Sequence, residues 1–222
     1  MKKDNISKIF IVLAVIYITL MLSSNILANR LVSIANVTLS GPVILFPFTY
    51  ILGDIFTEVY GFKKNKLVIW LSFLCNLLMV LSFMSVINMP YPEDFKNNEA
   101  FKIVLGTTPR VFIGSLLGFL VGGFLNSMVL SKLKVKTKGK YLALRTILST
   151  IIGETADTLV FSVFVFIGTL PSVAIMGMVI GESIIKIIIE TVFTPITYKV
   201  INKIKQIENQ DTYDTDVKYK II

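Results

Sequence analysis

The 222-residue sequence contains no histidine and a single cysteine, Cys75. These absences exclude a disulfide framework and the Cys and His spacings that are typical of zinc sites. They also exclude catalytic arrangements in which a histidine activates a serine or a cysteine. We therefore expect no metal site, no cofactor and no enzymatic activity. Any proton chemistry near neutral pH would have to use carboxylates or a lysine.

Charged residues are also scarce, at 16% of the chain, whereas hydrophobic residues make up 54%. This composition is too apolar for an ordinary soluble domain and indicates a multi-pass protein of the lipid bilayer. The net charge of +8 is compatible with nucleic-acid binding, but the basic residues lie in short loops between apolar runs. Because that distribution is typical of membrane topology, we expect no nucleic-acid partner.

Apolar runs that are long enough to cross the hydrocarbon core predict an all-α fold with six transmembrane helices. The predicted spans are residues 9–28, 45–61, 67–88, 109–131, 142–168 and 172–200. Between the first two spans, a β-branched segment with turn residues at its end predicts a short extended hairpin over residues 31–42. We interpret residues 1–205 as the six-helix membrane domain and 206–222 as a polar, disordered cytoplasmic tail.

The distribution of basic residues predicts the orientation of these spans. Most of the 22 Lys and Arg residues lie on one side, which places both termini in the cytoplasm and the chain in the cytoplasmic membrane. Six spans also divide into two sets of three that insert in opposite directions, an inverted repeat found in many transporters. Under this hypothesis the second and fifth spans correspond, although their sequences show no convincing identity.

Pairs of acidic residues interrupt two of the apolar spans. Asp54 and Glu58 lie four residues apart in the second span, shortly after Pro47, and Glu154 and Asp157 lie three apart in the fifth. These spacings place both members of each pair on one face of a helix. Because a bare carboxylate that faces lipid costs several kcal/mol, we expect both pairs to face protein or a water-filled cavity.

The sixth span carries Glu182, Lys186 and Glu190 at four-residue intervals. These residues form either an internally neutralised polar face that packs against other helices or part of a functional site. Six carboxylates within the spans outnumber the one central lysine, Lys186, and the one inner arginine, Arg145. The excess of acid predicts a site for a cation, or for a heterocycle that presents adjacent N–H donors to a carboxylate.

Aromatic side chains accompany the acidic pairs and include Phe46, Phe48, Tyr50 and Phe161. They could stack on a heterocycle, at about 1–3 kcal/mol per base in single-stranded nucleic-acid sites. Each of them could equally pack in the core or face lipid. Small residues at 114–122 in the fourth span allow close helix contact, either within the chain or in a homodimer.

Two motifs resemble the signatures of the queuosine precursor transporter family, formerly called the vitamin uptake transporter family. Residues 46–61 have the pattern F-P-x-T-Y-x-x-x-D-x-x-x-E-V-Y-G, and residues 145–161 have the pattern R-x-x-x-S-x-x-x-x-E-x-x-D-T-x-x-F. Arg110 with Ser115, and Lys186 with Glu190, also fit the family. Late in the fourth span, where some family members have Gln and Asp, this chain has Gly123 and Asn126.

The resemblance implies six transmembrane helices and uptake of a 7-deazaguanine (preQ0, preQ1 or queuine) for the queuosine modification of tRNA. One carboxylate would then take the ring edge, and another would meet the amine or carry a coupling proton. The candidate substrate-binding residues are Phe46, Tyr50, Asp54, Glu58, Arg110, Asn126, Arg145, Ser149, Glu154, Asp157, Lys186 and Glu190. The alternative is the substrate-binding membrane subunit of an energy-coupling-factor importer for a vitamin-like solute.

Overall fold

Helices and one hairpin make up the part of the chain that the computed structural model describes, which is residues 7–28, 30–34, 37–106, 109–169 and 171–220. The helices are α1 (Lys8–Leu27), α2 (Phe46–Ile55), α3 (Phe62–Ile87), α4 (Asn98–Leu105), α5 (Pro109–Lys136), α6 (Leu142–Phe166) and α7 (Ser172–Glu208). Strands β1 (Leu31–Ile34) and β2 (Val37–Ser40) pair in antiparallel register. They confirm the predicted hairpin between the first two helices.

Four of the described helices are long and apolar enough to cross a membrane: α1, α3, α5 from Val111, and α6. The predicted helical, multi-pass membrane architecture is thus confirmed, while the count of six spans and the inverted repeat stay predictions. The ten residues of α2 and the five that follow rise about 22 Å at most, which is less than the ~30 Å hydrocarbon core. Helix α7 is 37 residues long and contains Pro195.

The predicted second span is a short helix with a distorted last turn. Pro47 lies in the first turn of α2, where its missing N–H costs no intrahelical hydrogen bond. After α2 the backbone widens into a π-helical turn, Phe56–Tyr60, a rare geometry that often occurs at functional sites. The turn ends at Gly61, whose φ of +86° lies in a region that favours glycine. This distortion positions Glu58 differently from a regular helix.

Aromatic rings fix α1 against the π-helical turn. The ring of Phe10 lies 5.3 Å from that of Phe56 and 5.0 Å from that of Tyr60, both edge-on. Tyr17, two turns further along α1, also meets Phe56 edge-on at 6.0 Å. Because such pairs add about 0.5–1.5 kcal/mol beyond the burial of their area, they give α1 a specific position in the bundle.

Glycines allow α5 and α6 to pack with their backbones in close contact. A Cβ added at Gly122 would lie 2.5 Å from the Cβ of Asp157 and 2.8 Å from the carbonyl oxygen of Gly153. A Cβ at Gly153 would in turn lie 2.7 Å from the Cβ of Asn126. The small residues of the fourth span therefore serve a contact within the chain, and the homodimer stays a prediction.

The segment after α7 packs onto the bundle, which corrects the prediction of a disordered tail. The Asp214 carboxylate accepts hydrogen bonds from the backbone N–H of Phe62 at 2.8 Å and from the Ser131 hydroxyl at 2.6 Å. The ring of Tyr219 meets that of Phe62 edge-on at 5.0 Å. The polar composition of the tail suggested solvation, but its polar groups bind partners at the start of α3 and the end of α5.

Candidate functional site

Polar side chains inside the described part of the bundle form three groups. The basic network contains Glu58, Lys134, Arg145, Lys205 and Asp211. The amide cluster contains Asp54, Asn65 and Asn126. The pocket group lines a mainly apolar cavity or contacts its lining, and contains Asn25, Tyr50, Ser115, Glu154, Asp157, Glu182 and Lys186.

Glu58 is the centre of the basic network and is fully buried. Arg145 donates two hydrogen bonds to its carboxylate, at 2.5 and 3.1 Å. Lys205 donates a third at 2.8 Å, and the ammonium of Lys134 lies 3.6 Å away. Because a two-point arginine–carboxylate pair is both strong and geometrically specific, Glu58 and Arg145 hold helices together at this end of the bundle.

Asp211, in the segment after α7, completes the basic network. Its carboxylate lies 2.5 Å from the ammonium of Lys134 and 2.9 Å from that of Lys205. Burial alone would raise the pKa of Asp211, but hydrogen bonds from these two lysines outweigh it and hold the pKa below its usual value. The tail therefore supplies the second carboxylate for a network that contains three cations.

The amide cluster surrounds Asp54, which is fully buried between α2 and α5. The side-chain amide of Asn126 donates to Asp54 Oδ1 at 2.7 Å. Asp54 Oδ2 has no hydrogen-bond partner among the described residues. The structure thus brings together two predicted site residues, Asp54 and Asn126, and adds Asn65 of α3, whose amide donates to the Thr57 hydroxyl at 2.8 Å.

A mainly apolar cavity of about 140 Å³ lies between α1, α3, α5, α6 and α7. Apolar side chains form most of its wall, including Phe46 and Phe161. The polar groups that line it include Asn25, Ser115, Asp157, Glu182 and Lys186. An apolar cavity with a few convergent polar groups is the usual form of a small-molecule site.

Two opposite charges, those of Asp157 and Lys186, line this cavity. Asp157 is 4% exposed and accepts a hydrogen bond from the Tyr50 hydroxyl at 3.2 Å. The ammonium of Lys186 donates to the hydroxyl of Thr158 at 3.1 Å, and it lies 3.1 Å from a carboxylate oxygen of Glu154. It also lies 4.7 Å from the centre of the Phe46 ring. Lys186 is therefore oriented by three neighbours at the edge of the cavity.

Asn25 is a cavity residue that the sequence analysis did not identify. Its side chain accepts a hydrogen bond from the Ser115 hydroxyl at 2.8 Å and donates to Asn76. An amide near the end of an otherwise apolar first helix was the signal that could have identified it. Glu182 was seen in the charge ladder of the sixth span, but it was not included among the candidate site residues.

The cavity and the basic network lie at opposite ends of the bundle. The cavity contacts the C-terminal half of α6 at Asp157, whereas the network contacts its first turn at Arg145. Their separation of twelve positions along the chain corresponds to about 18 Å along a helix. The residues of the second family motif, 145–161, therefore contribute to both the cavity and the basic network, although they lie on one helix.

Ser149 and Glu190 are not among the described residues that line the cavity. Ser149 is fully buried and donates to the carbonyl oxygen of Thr146 in its own helix. Glu190 is 1% exposed, and neither of its carboxylate oxygens has a hydrogen-bond partner in the part of the chain that the structure describes. The side chain of Arg110 lies outside the described residues. A substrate-binding role for the twelve candidates stays a prediction.

Comparison with known proteins identifies the family. Residues 40–200 match the family model described as "Putative vitamin uptake transporter". The chain is also 26% identical over 176 residues to the "Probable queuosine precursor transporter" of Bacillus subtilis (strain 168), and the match covers 74% of this chain and 77% of that protein. No solved structure matches the chain.

Proposed function

This chain belongs to the vitamin uptake transporter family, and we propose that it imports a queuosine precursor, a 7-deazaguanine, across the cytoplasmic membrane. The similarity to the Bacillus subtilis protein supports this substrate class. The cavity supports it independently, because Asp157 and Lys186 present opposite charges to one small apolar space. That pairing is the observation on which the proposal mainly depends.

The chemistry of the ring edge fits these two charges. A guanine-like edge carries a ring N–H and an exocyclic amine side by side, which give a carboxylate two parallel hydrogen bonds. Asp157 can receive them, because an ionised carboxylate has about four acceptor positions and the structure gives it one hydrogen bond, from Tyr50. The carbonyl oxygen next to the ring N–H would then accept from Lys186.

The size and lining of the cavity suit a flat heterocycle. At about 10–15 Å³ for each water-sized sphere, the 140 Å³ correspond to about ten such spheres, which is enough for a bicyclic ring. Phe46 and Phe161 line the cavity and offer faces on which the ring can stack. Glu182 provides a second carboxylate, which would favour preQ1 or queuine because both carry a cationic amine.

The position of the cavity fits import. The positive-inside rule places the Lys-rich end of the bundle, with the basic network, in the cytoplasm. The cavity at the other end would then face the outside, and the network around Glu58 would close the inner side. In this proposal, both termini are cytoplasmic, and substrate release requires the network to separate.

An uptake assay tests the proposal. Cells that lack both queuosine synthesis and other importers would receive preQ0, preQ1 or queuine, and queuosine in tRNA would be measured. We expect Asp157→Asn and Lys186→Gln to lower uptake at least tenfold, because each loses a charge-assisted hydrogen bond worth about 1.5–3 kcal/mol. Glu99→Gln is the matched control, since Glu99 is exposed on α4. Normal uptake by both cavity variants at equal membrane abundance would disprove the assignment.

No observation in the described residues favours the importer-subunit alternative. An associated ATPase that copurifies with the chain, together with uptake that requires it, would support that alternative instead.

A further inference from the structure

A much smaller cavity is lined by Gly53 and Asn126, the chain neighbour and the hydrogen-bond partner of Asp54. Its volume is about 10 Å³, and residues of α1, α2, α3 and α5 line it. This volume is close to the 10–15 Å³ that a single water-sized particle requires. The polar residues along its wall include Asn65 and Asn126, which are 1% and 2% exposed.

Hydrogen bonds fix the orientation of both asparagine side chains. The Asn65 amide nitrogen donates to the Thr57 hydroxyl at 2.8 Å, and that hydroxyl donates to the carbonyl oxygen of Gly53 at 2.9 Å. The Asn126 amide nitrogen points at Asp54 Oδ1, which, when ionised, can only accept. Because reversing either amide would place two acceptors together, the amide oxygens of Asn65 and Asn126 are the groups left for another partner.

Three acceptor oxygens in the amide cluster have no hydrogen-bond partner among the described residues. They are Asp54 Oδ2, Asn65 Oδ1 and Asn126 Oδ1. All three residues are 2% exposed or less. Asn65 and Asn126 line the small cavity, and Asp54 adjoins it through its hydrogen bond with Asn126. Because a buried acceptor without a donor is costly, these oxygens indicate that a ligand binds there.

The charge of the site shows what kind of ligand fits. Within the described chain, no Lys or Arg lies within ion-pair distance of Asp54 or Glu190. The positive charge of Arg145 attracts Asp54 only at long range, and the negative charge of Glu58, its ion-pair partner, opposes this attraction. The charge of Asp54 also acts on Glu190 of α7. A water molecule could bridge these oxygens, but only a cation would also neutralise Asp54 in its ionised form.

We infer that the small cavity binds a monovalent metal cation of the size of sodium, held by Asn65 and Asn126 in its wall and by the adjoining carboxylate of Asp54. Carboxylate and carbonyl oxygens are the ligands that hard cations prefer. One carboxylate among neutral oxygens suits a single positive charge. The described residues contain no group of three or more His, Cys, Asp or Glu side chains that could hold a metal ion, so the proposed ligands are one carboxylate and two amide oxygens.

The local backbone supports this inference. In many secondary transporters, ions bind where a transmembrane helix is short or broken, because its backbone and side-chain oxygens are available there. Asp54 lies at the end of α2, which has ten residues and continues into the π-helical turn. The ion site therefore lies at a break of this kind.

One side chain connects the ion site with the larger cavity. Tyr50 lines the small cavity and donates its hydroxyl to Asp157. A cation at Asp54 would therefore affect the orientation of a residue that holds the proposed substrate carboxylate. The role as a coupling ion depends on the proposed transport function, whereas cation binding itself does not.

Thermal stability of the purified full chain in detergent tests cation binding without any substrate. Sodium chloride would be titrated against choline chloride at constant ionic strength and pH. We expect sodium to raise Tm by about 5 °C when its concentration exceeds Kd about a hundredfold. Equal Tm values in sodium and in choline would overturn the inference.

Substitutions in the cluster locate the effect. Asn65→Leu and Asn126→Leu should lose the sodium shift, since each removes a ligand oxygen. Asn126→Asp keeps an oxygen and adds a charge, so it should reach half of the shift at a lower sodium concentration, which remains informative if the leucine variants do not fold. Thr150→Val is the matched control, because Thr150 is also buried on α6 with an unpartnered hydroxyl. A sodium shift that survives in all asparagine variants would overturn the site.

Uptake measurements separate coupling from binding. We expect precursor uptake to fall at least tenfold when choline replaces external sodium, and a protonophore to have little effect at constant sodium. Uptake that depends on the proton gradient alone would contradict coupling by this site. A sodium shift in Tm without any precursor uptake would support the ion site and refute the proposed function.

Discussion

Replacing Glu58 by glutamine should destabilise the chain strongly, although Glu58 does not line the substrate cavity. Its carboxylate is the common partner of Arg145, Lys134 and Lys205. Glutamine keeps the shape of the side chain and removes its charge. Three cations would then share one remaining carboxylate, that of Asp211.

The burial of these groups sets the expected magnitude. The side chains of Glu58 and Arg145 are 0% and 1% exposed, and removing one partner of a buried ion pair costs about 3–5 kcal/mol. Lys205 is 18% exposed, so water screens its attraction to Glu58 and the loss of this ion pair costs less. We therefore expect the lower end, about 3 kcal/mol, which corresponds to about 6–12 °C in Tm for a chain of this length.

Thermal unfolding of the purified protein in detergent measures this loss. Glu99→Gln is the control, because Glu99 pairs with Lys102 at 3.4 Å on the surface and its side chain is 77% exposed. Exposed pairs contribute about 0–1 kcal/mol. Combining Glu58→Gln with Arg145→Met should recover part of the stability, since it removes the unpaired cation as well. If Glu58→Gln and Glu99→Gln unfold at the same temperature, the basic network does not hold this end of the bundle.

Two further predictions concern other parts of the chain. Gly122→Val should lower Tm more than Gly177→Val, because a Cβ at Gly122 meets Asp157 at 2.5 Å whereas nothing lies within 4 Å of a Cβ at Gly177. Overpacking of this kind costs about 1–3 kcal/mol. Equal losses of Tm in the two variants would contradict the close α5–α6 contact. Asp211→Asn should lower Tm at pH 7. The pKa of Asp211 is depressed in the folded chain, so its ionised carboxylate stabilises the fold at pH values above about 3.9, the pKa of an aspartate in the unfolded chain. This stabilisation is lost as the pH falls through the pKa of Asp211 in the folded chain, so the Tm values of the unsubstituted chain and the variant should converge below about pH 4. A difference in Tm that persists there would contradict the ion pairs of Asp211 with Lys134 and Lys205.

The acidic motifs illustrate how far sequence reasoning reached. The expectation that Asp54, Glu58, Glu154 and Asp157 avoid lipid is confirmed, since each is 4% exposed or less. Hydropathy and the cost of charge in lipid are properties of the residues themselves, so they can be read from the chain. Whether a buried carboxylate meets a cation, an amide or a cavity depends on other helices.

Glu58 and Asp54 show this limit most clearly. They lie four residues apart on neighbouring turns, yet Glu58 meets Arg145 and Lys205, whereas Asp54 meets Asn126. The π-helical turn, Phe56–Tyr60, separates their environments, and no sequence pattern used above predicts it. The partner cations come from α5, α6 and α7, far away along the chain.

The C-terminal segment shows the same limit from the opposite side. Its polar residues predicted disorder, because few of them can bury apolar surface. In the structure, Asp211 and Asp214 bind side chains and backbone of the bundle instead. Composition describes how much apolar surface a segment can bury, but it does not show which buried polar groups elsewhere need a partner.

The sequence by itself determined the membrane environment, the helical architecture, the hairpin and the family motifs, because hydropathy, turn chemistry and residue spacing act locally. Only the tertiary structure decided that the acidic residues divide among a cavity, an amide cluster and a basic network. The physical reason is that a buried charge is stabilised by the groups that surround it in space. In this chain those groups come from helices that lie up to 147 residues apart, as Lys205 does from Glu58.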